Sequence, residues 1–450
     1  MMDKRYFGTD GIRGTTNQTP LVSPFVTRLG MAAARYFKRK DGRRSTVVIG
    51  KDTRLSGYMI ETALVSGFIS AGMDVAQFGP LPTPAVANLT TTLRADLGVV
   101  ITASHNPYQD NGIKLFGPDG YKLDDAQEAE IEALMDEPYE TGLVGAGELG
   151  RARRIDDAGT RYTEIVKATF PRRMSLKGLR IVVDCANGAA YKVAPAVLWE
   201  LGADVIAIHD RPDGFNINAD CGATAPESLA EEVRRYRADI GLALDGDADR
   251  LVVVDEAGRV IDGGQVLGLI AKTWKRQGRL SCDRLVTTVM STIALDRAMA
   301  REGVEVVRTG VGDRNVVQAM REGGGNLGGE SSGHVVMRDY ATTGDALIAA
   351  LQVLGLLIES DKPASELLSV FEPVPQIKEN VRHARGATPL SNDQVKAAIG
   401  EAESALGEEG RLLVRASGTE PVIRILAEGP EDAARKAAKI VREAVEAQAA

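Results

Sequence analysis

The chain has 450 residues, more than one typical domain, and 44% of them are hydrophobic against 26% charged, an ordinary globular balance. With 54 Lys and Arg against 62 Asp and Glu the formal charge is −8, which argues against non-specific nucleic-acid binding. Any anionic ligand must then meet a local cluster of basic groups.

Cys185, Cys221 and Cys282 are odd in number and lack CxxC spacing, which argues against a disulfide framework or a zinc site and for a reducing compartment. The opening "MMDKRYFGTDGIRG" lacks the apolar core of a signal peptide, and the apolar run "ALIAALQVLGLLI" (346–358) is too short to span a bilayer. The expectation is a cytoplasmic protein with no membrane partner.

In chain order, one pattern recurs three times. A strand reads as "RRSTVVIG" (43–50), "GLRIVVDC" (178–185) and "DRLVTTVM" (283–290). Each is followed by a helical segment ending near glycine: "YMIETALVSGFISAG", "YKVAPAVLWELGA" and "TIALDRAMAREGV". A second strand follows at "MDVAQF" (73–78), "ADVIAI" (203–208) and "VEVVRT" (304–309). This is the βαβ unit, with mostly parallel pairing and right-handed crossovers. A third strand then runs into a polar loop: "LGVVIT" into "ASHNP", "IGLAL" into "DGDADR", and "GGNLGG" into "ESSGH". Ligand sites in open α/β sheets lie beyond the carboxyl ends of strands, so each unit delivers a different loop from an equivalent place.

Beyond about residue 370 the texture changes. "FEPVPQIKENVRH" (371–383) reads as a linker entering an edge strand. Two helices, 393–406 and 430–448, flank "GRLLVRAS" and "VIRILAEG", which read as antiparallel strands. The expected architecture is three similar α/β domains with mixed, mostly parallel sheets and a C-terminal α+β domain, arranged around a central cleft. The expected boundaries are 1–154, 155–256, 257–370 and 371–450.

The loops carry the chemistry. Asp245, Asp247 and Asp249 in "DGDADR" place three carboxylates within five residues, which repel one another unless a cation neutralises them. Oxygen-only ligands favour Mg²⁺ ahead of Ca²⁺. Glu256 at the twelfth position imitates an EF-hand, but Arg250 stands where that loop needs its turn glycine. A solvated acidic turn and an aspartyl-phosphate nucleophile are the competing readings. "RASGTEPVIR" (415–424) combines Arg415 and Arg424 with Ser417, Gly418 and Thr419, an anion nest between two forked donors or else a polar hairpin. "GGESSGH" offers Glu330 and Ser332 as a clamp for vicinal sugar hydroxyls and His334 as an acid or base. Ser104 in "TASHNP" lacks the G-x-S-x-G elbow of a hydrolase, leaving a capping serine in a turn or an exposed hydroxyl that carries a phosphoryl group. Lys114 in "DNGIKLFG" is a cation placed to sit beside such a phosphate.

These four loops, in this order along essentially the whole chain, resemble the signature loops of the α-D-phosphohexomutases. "YFGTDGIRG" (6–14), "VGDRNVV" (311–317) and "TTGDALIAALQVL" (342–354) are most similar to the bacterial branch acting on glucosamine phosphates. Ser331 and Asn315 fall where the family pattern varies, which bears on substrate choice. The resemblance implies interconversion of glucosamine 6-phosphate and glucosamine 1-phosphate through a phosphoserine enzyme and a hexosamine 1,6-bisphosphate. Glucose or mannose phosphomutase activity is the alternative, and a Mg²⁺-dependent sugar phosphatase is the more distant one.

By the same resemblance Ser104 is the phosphoserine, and one Mg²⁺ per chain is held by Ser104, Asp245, Asp247 and Asp249. Arg13, Lys114, His334 and Arg250 surround the reacting phosphoryl, with Lys114 and His334 the candidates for proton transfer. Arg314, Glu330, Ser332, Arg415, Ser417, Gly418, Thr419 and Arg424 bind substrate. The partner is a small phosphosugar, and the resemblance allows a homodimer without requiring one.

Overall fold

The computed structural model describes residues 4–39, 41–384, 386–416 and 421–448. They fall into two compact units, one of residues up to 288 together with 307–368, the other of 289–306 together with the chain from 369 onward.

In the first unit one arrangement is repeated in three sheets. The strand Leu97–Ile101 pairs parallel with Thr46–Lys51 on one side and antiparallel with Asp110–Phe116 on the other. Ile240–Leu244 lies likewise between parallel Arg180–Asp184 and antiparallel Leu251–Asp255. Leu327–Gly329 lies between parallel Arg284–Thr288 and antiparallel Val335–Met337. Each middle strand is buried along its whole length, as a strand covered on both faces must be, and reads as an apolar run. The chain must reverse at the end of each, and the three reversals are 102–109, 245–250 and 330–334. The strands flanking 245–250 also exclude the helix-flanked EF-hand geometry.

The helices Ser23–Tyr36 and Gly57–Ser70 pack over the first sheet, burying Leu29, Ile60, Leu64 and Phe68 with Val47, Ile49 and Val99. The helix Ala346–Ser360 is apolar nearly all round because it is buried; among the described residues no helix is long and apolar enough to cross a membrane. In the second unit Gln376–Arg382 and Arg411–Ala416 pair antiparallel with the two edges of Val422–Glu428. Helices Asp393–Leu406 and Glu431–Glu446 cover that sheet through Val395, Leu406, Val441 and Val445. Within the same unit Arg411 bridges Glu428 at 3.0 Å and donates to Val289 O at 2.9 Å, tying the 289–306 segment to this sheet.

The N-terminus of Ala346–Ser360 is capped by Asp345, whose Oδ1 accepts from the backbone of Leu347 and Ile348 at 3.0 Å, while Oδ2 accepts from the Tyr162 hydroxyl at 2.8 Å. Burial nonetheless raises this carboxyl to about 6, because the cap bonds only partly replace lost water. A carboxyl that titrates higher folded than unfolded penalises folding once ionised. Its contribution is therefore most favourable below the unfolded value of 3.8 and declines as pH rises through about 6. The difference amounts to about 3 kcal/mol. Asp345→Asn keeps the cap and removes the ionisation. Its Tm is expected to exceed that of the unaltered chain near neutral pH and to match it at about pH 4; equal Tm values at both would show that Asp345 is not under strain.

Candidate active site

The reversal after Leu97–Ile101 holds Ser104 in the left-handed region, at φ 51°. A non-glycine residue there costs on the order of 1–3 kcal/mol and persists only where surrounding bonds enforce it. Here Ser104 N donates to Thr102 Oγ1 at 2.9 Å, and Ser104 O accepts from Asn218 Nδ2 at 2.9 Å and Arg54 Nη2 at 3.2 Å. The hydroxyl expected to be exposed is in fact buried, with the residue 1% accessible. It donates to Asp245 Oδ2 at 2.7 Å.

The 245–250 reversal lies directly against this loop. Gly246 permits the approach, since a Cβ there would come within 2.6 Å of Ser104 O. Ala248 takes φ 56°, which turns the chain so that Asp245, Asp247 and Asp249 converge with one oxygen of each inside a 4.8 Å circle. The N-termini of two helices hold the loop from outside. Thr83, first in Thr83–Thr92, donates from N to Asp247 O at 3.0 Å and from Oγ1 to Asp247 Oδ2 at 2.7 Å. Ala346 N donates to Ala248 O at 3.2 Å. Both place the positive end of a helix at an acidic loop.

All three carboxylates are buried. Asp245 is pushed well up by burial and by Asp249 and Asp247. Asp249, which burial alone would raise, is instead held down by Lys114 and His334. Asp247 Oδ1 and Asp249 Oδ1 are buried without a hydrogen-bond partner among the described residues. Two orphaned carboxylate oxygens beside a third carboxylate and a hydroxyl form an all-oxygen set that can hold a hard metal ion.

Lys114 is buried on the antiparallel strand beside Ser104's and sits 2.9 Å from Asp247, 3.3 Å from Asp10 and 3.6 Å from Asp249. Burial opposes its charge, but these carboxylates outweigh it and raise its pKa, so it stays an ammonium. Arg13, on the edge strand Ile12–Thr15, bonds Asp10. Lys122 joins Asp10 to Asp313, and Asp313 lies 3.7 Å from His334 Nε2. His334 Nδ1 in turn lies 3.6 Å from Asp249. The ring Asp249, Lys114, Asp10, Lys122, Asp313, His334 thus closes on itself and links the ends of all three sheets. Burial lowers the pKa of His334, but Asp249 and Asp313 prevail and raise it. Arg250 follows the trio, its backbone N donating to Asp245 Oδ1 at 3.1 Å.

The third reversal brings Glu330 and Ser332 together, Ser332 Oγ 3.4 Å from Glu330 Oε2 and Gly312 N donating to Glu330 Oε1 at 3.1 Å. Arg314 lines a cavity of about 590 Å³, but its guanidinium is engaged by Asp125 and Glu128, each at 2.7 Å, and by Leu123 O. Contact with a substrate would require it to leave those partners. In the second unit Arg415 and Arg424 stand opposite each other on paired strands. Burial and then the neighbouring charge of Arg424 lower the pKa of Arg415. Ser417, Gly418 and Thr419 lie outside the described residues.

Sequence reasoning missed Asp10, Thr83, Lys122, Asp313, Arg54 and His105. His105 Nδ1 is 3.3 Å from Ser104 Oγ, and burial with Arg250 and Arg13 lowers its pKa to about 4. A usable signal existed for Arg54 and Thr83. Both follow the carboxyl ends of parallel strands, Thr46–Lys51 and Asp74–Pro80, where ligand-facing loops are expected.

Taken with its sheets, this centre defines a multidomain α/β protein in which a serine hydroxyl faces a buried, metal-capable acidic trio. Family models of the phosphoglucomutase/phosphomannomutase α/β/α domains I, II and III match residues 4–141, 160–258 and 262–374, and that of the C-terminal domain matches 379–447. The chain is 63% identical to a phosphoglucosamine mutase of Maricaulis maris over 99% of both chains. It is 59% identical to one of Caulobacter vibrioides, covering 99% of this chain and 100% of the other. A solved phosphoglucomutase/phosphomannomutase family protein of Burkholderia thailandensis superposes with a TM-score of 0.81 at 25% identity, covering 98% of this chain and 97% of the other. The chain belongs to the phosphoglucomutase/phosphomannomutase family, the α-D-phosphohexomutases.

The ring of charges makes a testable demand. Lys122→Met leaves buried Asp313 with His334 as its remaining charged partner among the described residues and one backbone bond from Arg314 N, and is expected to destabilise the fold by about 3–5 kcal/mol. Adding Asp313→Asn should recover most of the loss in denaturant unfolding, because the stranded charge is then gone. If the double variant is no more stable than the single one, the pair is not a coupled unit.

Proposed function

We propose that this chain interconverts glucosamine 6-phosphate and glucosamine 1-phosphate, with Ser104 carrying the phosphoryl group between them. The observation that carries the reading is the 2.7 Å approach of Ser104 Oγ to Asp245 at the mouth of the acidic trio. The two relatives named phosphoglucosamine mutase, matched over nearly their full length, support the choice of sugar.

Asp245, Asp247, Asp249 and a phosphoserine oxygen would hold one Mg²⁺, which when bound supplies positive charge to the phosphoryl oxygens. The remaining work falls to side chains. Ser104 Oγ is the acceptor and leaving atom: its bond to phosphorus breaks as the free sugar hydroxyl bonds to phosphorus, giving hexosamine 1,6-bisphosphate. The bisphosphate turns over and returns its other phosphate to Oγ. Phosphoryl transfer is served chiefly by positioning and charge, so the fixed cations Lys114, Arg13 and Arg250 would neutralise the group in flight. Lys114, kept as an ammonium by its carboxylates, is suited to that task and not to accepting a proton. Proton exchange with the sugar hydroxyl would fall to His334. His105, neutral at working pH, would donate from Nδ1 to Ser104 Oγ.

Glu330 and Ser332 would hold sugar hydroxyls, and Arg314 would act by anchoring its helix. Arg415 and Arg424, with Ser417, Gly418 and Thr419, would bind the phosphate that is not reacting; opposed on paired strands, the two arginines offer forked donors suited to phosphate oxygens. A sugar phosphatase working through an aspartate of the trio is less favoured, because the trio's oxygens face each other and Ser104. Cytoplasmic location and a homodimer belong to the same proposal.

The test compares glucosamine, glucose and mannose 6-phosphates in a coupled assay. Highest kcat/KM on glucosamine 6-phosphate is expected; equal or faster turnover of glucose or mannose phosphate would move the chain to the other branch. Ser104→Ala should abolish turnover on all three while losing only about 1 kcal/mol of stability, the worth of one hydrogen bond. Acid-stable phosphate on Ser104 in peptide mapping is expected, whereas acid-labile phosphate on an aspartate would favour the phosphatase.

A further inference from the structure

A second cluster of metal-type ligands lies behind the Ser104 loop, at the carboxyl end of the second sheet. Asp184 ends the strand Arg180–Asp184, His209 follows the neighbouring parallel strand Asp204–Ile208, and Cys221 precedes a short turn at 222–224. One ligand atom from each lies within 4.8 Å of the others. A tetrahedral ion with sulfur at about 2.3 Å and nitrogen at about 2.0–2.1 Å spans ligand pairs of about 3–4 Å, so small side-chain movements close the set.

The cluster is a mixed nitrogen, sulfur and oxygen set, unlike the all-oxygen trio. Asp184 is fully buried, and its oxygens accept from Ala186 N and Gly222 N at 2.8 Å, which fixes the orientation of the carboxylate. His209 Nδ1 comes within 3.1 Å of Asp184 Oδ2, yet is a buried atom out of line for a hydrogen bond. Cys221 is fully buried and receives only a long contact, 3.9 Å, from Asn187 Nδ2. The His209 side chain is 31% exposed, so the set opens to solvent on one side. Five non-glycine residues around it hold positive φ: Ala186, Asn187, His209, Asn218 and Asp220. Strain of that density survives where the surroundings hold the chain in place, and ligand clamps are one such setting.

We infer that Asp184, His209 and Cys221 form a second metal site, selective for a borderline transition dication of the zinc type, with its fourth position open to water on the His209 side. Thiolate and imidazole ligands select such an ion over Mg²⁺. The three widely spaced cysteines give no sign of it in the sequence, because its ligands come from two strand ends and a separate loop. Binding converts the Cys221 thiol to thiolate and leaves His209 Nδ1 unprotonated, so protons pass to solvent. Affinity therefore increases with pH. The site touches the Ser104 loop through Asn218, and the loop after Thr46–Lys51 through Thr53. Thr53 Oγ1 donates to Asn187 O at 2.5 Å, and Asn218, whose N donates to Ala186 O at 2.9 Å, donates from Nδ2 to Ser104 O at 2.9 Å.

The test uses the full chain stripped with chelator, then titrated with Co²⁺ in excess Mg²⁺ to keep the acidic trio filled. One equivalent of Co²⁺ should produce a near-ultraviolet thiolate-to-cobalt charge-transfer band, which Zn²⁺ removes by competition. Cys221→Ser should abolish the band. His209→Ala, at a partly exposed position, should weaken binding at least as much as the ~10–100-fold lost on removing an outer partner. Cys282→Ser, at the exposed cysteine, should leave the band unchanged. Absence of the band in the unaltered chain, or its persistence in Cys221→Ser or at full affinity in His209→Ala, would overturn the assignment.

Discussion

The buried meeting of Asp245, Asp247 and Asp249 with one lysine is the constraint on which the centre depends. Three carboxylates so close cannot all stay ionised without cations, and the single ammonium of Lys114 reaches Asp247, Asp249 and Asp10 at once. The rest of the site follows as compensation: two helix N-termini against the loop, Arg250 beside it, and a ring of alternating charge through Lys122, Asp313 and His334. In the proposed function a bound metal ion would complete the balance, offsetting the carboxylates and the phosphoserine together. The centre is thus a set of charges whose members hold one another in place, which preorganises it for a phosphoryl group.

The fold supplies the geometry by repetition. In each of three sheets the strand that feeds a functional loop is flanked by a parallel partner and an antiparallel one, so the loop is a forced reversal. A reversal at the end of a buried strand is short and fixed at both ends. That explains how Ser104 and Ala248 hold left-handed backbone without glycine.

Much of this was legible in the sequence because both signals are local. Apolar runs such as "LGVV" and "IGLAL" mark buried strands, and the unusual loops follow them directly. The acidic trio was readable from spacing alone. Less legible was whatever depends on contacts across the chain. Ser104 looked exposed because its burial comes from Asp245 and Asn218, more than a hundred residues away. Lys122 and Asp313 look like surface charges in sequence, and only folding brings them together. Nothing local announces that Asp125 and Glu128 engage the guanidinium of Arg314. The grouping of Asp184, His209 and Cys221 was equally invisible, because these residues share no common motif.

The central claim is that the phosphoryl group passes through Ser104 to the sugar and back. Its most direct test is a single-turnover chase: enzyme labelled with isotopic phosphate on Ser104, mixed rapidly with glucosamine 6-phosphate and quenched over time. The account predicts label leaving Ser104 for hexosamine 1,6-bisphosphate at least as fast as steady-state turnover, with little inorganic phosphate released. Product forming while the label stays on the protein, or label leaving as inorganic phosphate, would contradict it.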